Sequence, residues 1–173
     1  MDSAVKRYII PVLTVIMIAA AAYYHWANSQ KTEENFQFGV TTGHRVKDVT
    51  LFGLDSKPIM FSDYHGGIII IDFMAPWCNP CIEQVKVLRE LNGAPGVTII
   101  SINVDSSYNA TYLTKFKERE GIEWTLANSP ETAQEYKVTA IPLIIFVDKG
   151  GIIRYRGYYT TMIQFEQLIK SYG

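Results

Sequence analysis

Cys78 and Cys81 are the only cysteines in the chain, and two residues separate them in the stretch Asp72-Phe73-Met74-Ala75-Pro76-Trp77-Cys78-Asn79-Pro80-Cys81. A pair at this spacing can exchange thiol for disulfide. One sulfur attacks a client disulfide, and the other then attacks that same sulfur to release the client. The elements on either side predict which sulfur does which. Gly66-Gly67 and the unbroken β-branched run Ile68 to Ile71 predict a strand buried on both faces. Beyond the cysteines, Ile82, Val85, Leu88 and Leu91 recur between polar Glu83, Gln84, Lys86 and Arg89, predicting a helix with one apolar stripe. Cys78 then meets the start of that helix, where unpaired N–H groups and the positive dipole end favour thiolate. Its pKa is expected below the free value of about 8.5, making Cys78 the attacker and Cys81 the resolving thiol.

Two other uses of the pair fit less well. Zinc needs about four ligands, and the chain adds only His25, His44 and His65, none paired at ligand spacing. A purely structural disulfide gains little across so small a loop.

The neighbours of the cysteines have expected roles of their own. Asp72 shares a strand face with Ile68, Ile70 and Met74, so it is expected to be buried, with a raised pKa. A carboxyl so tuned can accept the proton of Cys81; the alternative is a strand-end Asp that reaches the surface. Trp77 offers a flat apolar ring to a client chain, unless it packs in the core. Asn79 and Pro80 help set the redox poise, and Pro80 suits a first helical turn. Pro142 stands before the apolar run Leu143 to Val147 and cannot donate to a ladder. The Ile141 backbone is therefore free to pair with an extended client, although a plain strand-entry proline is the alternative.

Trp-Cys-x-x-Cys with Pro before the second Cys resembles thioredoxin. So do Asp72 six residues ahead of Cys78, the Asn103-Val104-Asp105 segment, and Ala133-x-x-Tyr136-x-Val138-x-x-Ile141-Pro142, whose proline the resemblance implies to be cis. The chain departs from that family at Met74, where a Trp is usual, and at Ser101, where a Lys is frequent. The missing lysine implies an Asp72 that is harder to ionise. An N-terminal extension and added residues 106–130 resemble the exported, membrane-tethered thioredoxin-like branch of the kind that serves cytochrome c maturation, and the related peroxiredoxin-like group. The exported relatives often place a Glu three residues after the second Cys. Gln84 holds that position here, with Glu83 on a different face.

The rest of the chain supplies the elements that must hold this site. With 173 residues, 48% hydrophobic and a net charge of −1, it has material for one domain with a core built by packing rather than crosslinks. Scattered lysines and arginines give no footprint for nucleic acid. Residues 1–7 form a polar start with Lys6 and Arg7. Residues 8–27 carry no charge and end in Tyr23, Tyr24 and Trp26, predicting a single transmembrane anchor with a cytoplasmic N-terminus and an exported remainder. A cleaved signal peptide, using Ala20-Ala21-Ala22, and a buried core helix are the alternatives. Residues 28–39 read as a linker and 40–173 as the domain.

Within that domain, Val46 to Phe52 and Pro58 to Phe61 are expected to pair as a hairpin around Gly53-Leu54-Asp55-Ser56. Val97 to Val104 is the next strand, and Gly121 stops a helix carrying Tyr112, Leu113 and Phe116. Ser129-Pro130 starts another helix, Asp148-Lys149-Gly150-Gly151 turns a hairpin, and Thr161-x-x-Gln164 caps the last helix. Asn109-Ala110-Thr111 reads as a helix start or as a glycosylation acceptor. The fold class expected is α/β and thioredoxin-like. It has a central mixed sheet flanked by helices, an N-terminal hairpin extension, an insertion before the proline segment, and the anchor ahead of it all.

The function expected is a membrane-anchored extracytoplasmic thiol-disulfide oxidoreductase, a reductase of protein disulfides, that draws electrons from a membrane donor and needs no cofactor beyond its cysteines. The alternatives are a peroxiredoxin-like peroxidase and a non-catalytic peptide-binding module. Against the peroxidase, Ala75 stands where that group usually has a Thr.

Overall fold

A computed structural model describes residues 13, 15–26 and 37–173. Residues 13 and 15–26 are helical and exposed. Among the described residues no helix is long and apolar enough to cross a membrane. The anchor expected over 8–27 lies partly outside them, as do residues 1–7 and most of the linker. The chain divides into two units, Met1–Asn35 and Phe36–Gly173, and the second carries the chemistry.

That unit opens with two small ribbons. β1 (Phe38–Gly39) runs parallel to β2 (Arg45–Val46), and β3 (Leu51–Phe52) pairs antiparallel with β4 (Pro58–Ile59). The hairpin turns at the expected place, but the single strand expected from Val46 to Phe52 is broken. Asp48 is the reason. Its Oδ1 accepts the backbone N–H groups of Phe61 at 2.8 Å and Ser62 at 3.4 Å, so it caps a short 3-10 helix at Phe61–Tyr64 and leaves the strand path. That helix also ends the second arm at Ile59, short of the expected Phe61.

The five-stranded sheet contains β5 (Ile68–Met74), β6 (Val97–Asn103), β7 (Thr125–Asn128), β8 (Leu143–Val147) and β9 (Ile153–Gly157), in the order β7-β6-β5-β8-β9. β6 is parallel to both β5 and β7, whereas β8 is antiparallel to β5 and β9, so the sheet is mixed as expected. Four helices complete the unit: α1 (Asn79–Leu91), α2 (Ala110–Glu120), α3 (Pro130–Glu135) and α4 (Met162–Tyr172). Their ends follow local chemistry. Asn109 Oδ1 caps α2 by accepting the Tyr112 N–H at 2.9 Å, and Gly121 ends it at a left-handed φ of 65°. Thr161 and Gln164 form a reciprocal capping box on α4. Ser129 precedes α3 as expected, yet its hydroxyl bonds the Thr132 hydroxyl at 2.8 Å rather than the backbone.

Every residue of β5 is buried. Period two sends Ile69, Ile71 and Phe73 into one core with Phe61, Tyr136 and Ile145, and sends Ile68, Ile70 and Met74 into the other with Cys81, Val85 and Leu88. Each buried isoleucine contributes about 2 kcal/mol, so the run Ile68–Ile71 outweighs the cost of burying the one carboxyl that follows it.

Candidate active site

β5 ends at Met74, and the chain reaches α1 through Ala75-Pro76-Trp77. Pro80 lies in the first turn of α1, where no partner is lost for its missing N–H. Cys78 is the residue that caps this helix: its Sγ accepts the backbone N–H of Cys81 at 3.2 Å. The two sulfurs are joined in a disulfide, with Cα atoms 5.2 Å apart. Cys78 keeps a sliver of exposure and Cys81 none. Once the pair is reduced, the less buried of the two cysteines is also the one whose sulfur faces the N–H groups and dipole of α1, which favour its thiolate.

A groove of about 670 Å³ opens over the pair, lined by Trp77, Cys78, Pro80, Val138, Ala140 and Ile141 among others. Trp77 is 60% exposed, so it is a surface platform rather than a core residue. It is nonetheless held, because its indole N–H donates to Asp105 Oδ2 at 2.8 Å. The backbone N–H of Ser107, together with that indole, keeps the Asp105 carboxyl below the usual carboxylate range. Ile141-Pro142 is a cis peptide, with Pro142 buried and Ile141 half-buried. The ladder of β8 starts only at Leu143, so Ile141 stands outside the sheet's pairing at the groove wall.

Asp72 lies on the α1 side of β5 and is fully buried. Its Oδ2 accepts the Ser101 hydroxyl at 2.8 Å, while Oδ1 is buried with no partner among the described residues. Burial pushes its pKa up to about 7, against a smaller lowering by Ser101. The carboxyl is thus poised to change charge near neutrality, as a proton acceptor for a thiol requires.

Gln84 departs from the expected pattern. It was expected among the polar positions of α1, yet it is fully buried, together with Cys81, Val85, Leu88 and Leu91. Its amide donates to the Thr160 carbonyl at 3.0 Å and accepts the Thr160 N–H at 2.7 Å. This pairing joins α1 to the segment between β9 and α4. Ile82, expected within the stripe, is only partly buried at its edge. Asp105 as the holder of Trp77 and Trp124 as a partner of Ser101, whose hydroxyl its indole N–H reaches at 2.9 Å, are the other contacts not foreseen. Ser101 carries a signal in hindsight: it is a polar residue at an inward position of an apolar strand, in register with Asp72. Trp124 carries none.

A five-stranded mixed sheet with helices on it, and a Cys-x-x-Cys pair opening the helix after its central strand, define the class as thioredoxin-like thiol-disulfide oxidoreductases. The family model described as the AhpC/TSA family matches residues 42–156, and the chain belongs to that family. Among its relatives, the thioredoxin-like protein YneN of Bacillus subtilis is 21% identical over 81% of this chain and 84% of its own. The thiol-disulfide oxidoreductase ResA of Bacillus thuringiensis subsp. konkukian is 22% identical over 92% of both chains. The crystal structure of the thioredoxin domain of a thiol-disulfide oxidoreductase from Bacteroides vulgatus superposes with a TM-score of 0.66. It is 19% identical and covers 78% of this chain and all of that one.

Proposed function

We propose that the chain reduces protein disulfides outside the cytoplasm, held at the membrane by its N-terminal apolar segment. The Cys78 thiolate attacks a client disulfide, forming a mixed disulfide and expelling one client sulfur as thiolate. Cys81 passes its proton to Asp72 and attacks Cys78 Sγ. The Cys78–Cys81 disulfide forms, the second client sulfur leaves as thiolate, and two electrons have moved from the protein dithiol to the client. Trp77 and the Ile141 backbone hold the client in an extended form, as an added strand would be held. Asn79 and Pro80 set the poise. The sulfurs carry the electrons, so the reading assigns no metal or other cofactor; a membrane donor of electrons restores the dithiol. The resemblance to the cytochrome c maturation branch supports both the location and the reductive direction.

One observation carries the reading: Cys78 caps α1 with Cys81's N–H on its sulfur, at the wall of an open groove. The Cys81→Ser chain is expected to accumulate mixed disulfides through Cys78, and Cys78→Ser is expected to trap nothing. Equal trapping by both variants, or an unreactive Cys78, overturns the mechanism. Peroxide consumption by the wild-type chain in the absence of a disulfide client supports a peroxidase instead.

A further inference from the structure

We propose that Trp124 and Ser101 are positioning residues for the proton transfer at Asp72, with the indole fixing the serine hydroxyl so that its single proton points at the carboxyl. This rests on the reading above, in which Cys81 gives its proton to Asp72. A serine hydroxyl has one proton and two lone pairs, whereas an indole N–H can only donate. Trp124 Nε1 donates to Ser101 Oγ at 2.9 Å, and Ser101 Oγ lies 2.8 Å from Asp72 Oδ2. With one lone pair occupied by the indole, the O–H is left to Asp72. All three groups are buried, so water does not compete and each bond strengthens the next. Asp72 Oδ1, the buried oxygen without a partner among the described residues, is the one left to take the proton of Cys81, directly or through one water.

Among the described residues no charged side chain contributes to the shift of this carboxyl: burial raises its pKa and the Ser101 bond lowers it. Its register partners on the neighbouring strands are neutral, Ser101 on β6 and Ile144 on β8. The core on the Ile70 and Met74 side of β5, the side that period two gives Asp72, holds Cys78, Cys81 and Val85, with Tyr108 and Tyr155 packed against it, so its titratable side chains among the described residues are the two cysteines and those two tyrosines. Trp124 lies just ahead of β7, and Lys117 Nζ anchors it by donating to its carbonyl at 2.6 Å. The segment between α2 and β7 therefore supplies the group that orders the hydroxyl.

The test is stopped-flow reaction of the reduced full chain, from pH 5 to 9, with an aromatic disulfide that releases one coloured thiolate on attack by Cys78 and a second on attack by Cys81. A hydroxyl donor favours the carboxylate, so removing it raises the pH at which Asp72 becomes a base. The midpoint of the second phase is expected to move up by roughly one pH unit in Ser101→Ala, and by less in Trp124→Phe. The first phase is expected to be unchanged in both, and Ser101→Thr, which keeps the hydroxyl, to retain the wild-type midpoint. Wild-type midpoints in both Ser101→Ala and Trp124→Phe overturn the proposal while leaving the Cys78–Cys81 mechanism standing. A wild-type chain without a second phase removes that mechanism and the proposal with it. Should Ser101→Ala fail to fold, NMR titration of the Asp72 carboxyl in oxidised Trp124→Phe decides: an upward shift supports the proposal, and an unmoved midpoint overturns it.

Discussion

At the scale of single residues, the site is built on one carboxyl kept where a carboxyl is costly. Asp72 has a folded pKa of about 7 against an ordinary value of 3.8. Between those values the folded chain holds a proton that the unfolded chain has released, so this group's contribution to stability falls as pH rises from about 4 to about 7 and is level above. About three pH units at 1.36 kcal/mol each put the cost at up to about 4 kcal/mol at pH 8. Asp72→Asn removes the titration. Its unfolding free energy, measured by denaturant on the oxidised protein, is expected to gain on wild type by up to about 4 kcal/mol between pH 4 and pH 8. A difference that stays constant with pH would place the Asp72 carboxyl near its ordinary acidity and remove it as a proton acceptor. The burial of Asp72 was legible in the sequence because period two placed it between Ile70 and Met74. Its partners were not, since a tryptophan ahead of β7 that bonds a serine on β6 leaves no local pattern.

The elements show where pattern reading succeeds and where it stops. Caps and turns were legible because their chemistry is local: Asn109, Gly121 and the Thr161–Gln164 box all act within four residues. α1 was placed correctly, yet one polar position on it was misread. Gln84 is buried because both ends of its amide find backbone partners on Thr160, 76 residues away in sequence. A distant backbone segment offering one donor and one acceptor cannot be inferred from the helix itself. The broken strand at Asp48 has the same origin, a carboxylate claimed by a segment 13 and 14 residues further on. Gln84→Ala leaves the buried Thr160 N–H and C=O unpaired and is expected to cost about 2–4 kcal/mol. Gln84→Glu separates the two bonds: a carboxylate still accepts the Thr160 N–H but faces the carbonyl with no proton to give. Thermal melts are expected to show Gln84→Glu well below wild type at pH 7.5 and closer to it at pH 5, where the carboxyl can be protonated. If both pH values show the same deficit, the Thr160 carbonyl does not depend on a donor at this position.

At the scale of the whole molecule, the question is what the first 35 residues do for a unit that has its own cores. Residues 36–173 bury both faces of their sheet with side chains from within the same unit, which predicts that this unit folds by itself. Residues 36–173 alone are expected to unfold cooperatively and to keep the Cys78–Cys81 chemistry. The proposed task of the N-terminal segment, membrane anchoring, is separate from that chemistry. Lys6 and Arg7 precede an uncharged run that ends in Tyr23, Tyr24 and Trp26, the order in which a retained anchor presents charge, apolar span and interfacial aromatics from the cytoplasm outwards. On that reading the full chain pellets with membranes and stays there through alkaline carbonate, while residues 36–173 remain in the supernatant. Protease added to intact spheroplasts is expected to degrade the unit carrying the cysteines. A full chain recovered outside the cytoplasm in soluble form and shortened at its N-terminus means that the segment is a cleaved signal. Protection from the protease would put the cysteine pair in the cytoplasm and end the extracytoplasmic reading, whatever the pair does there.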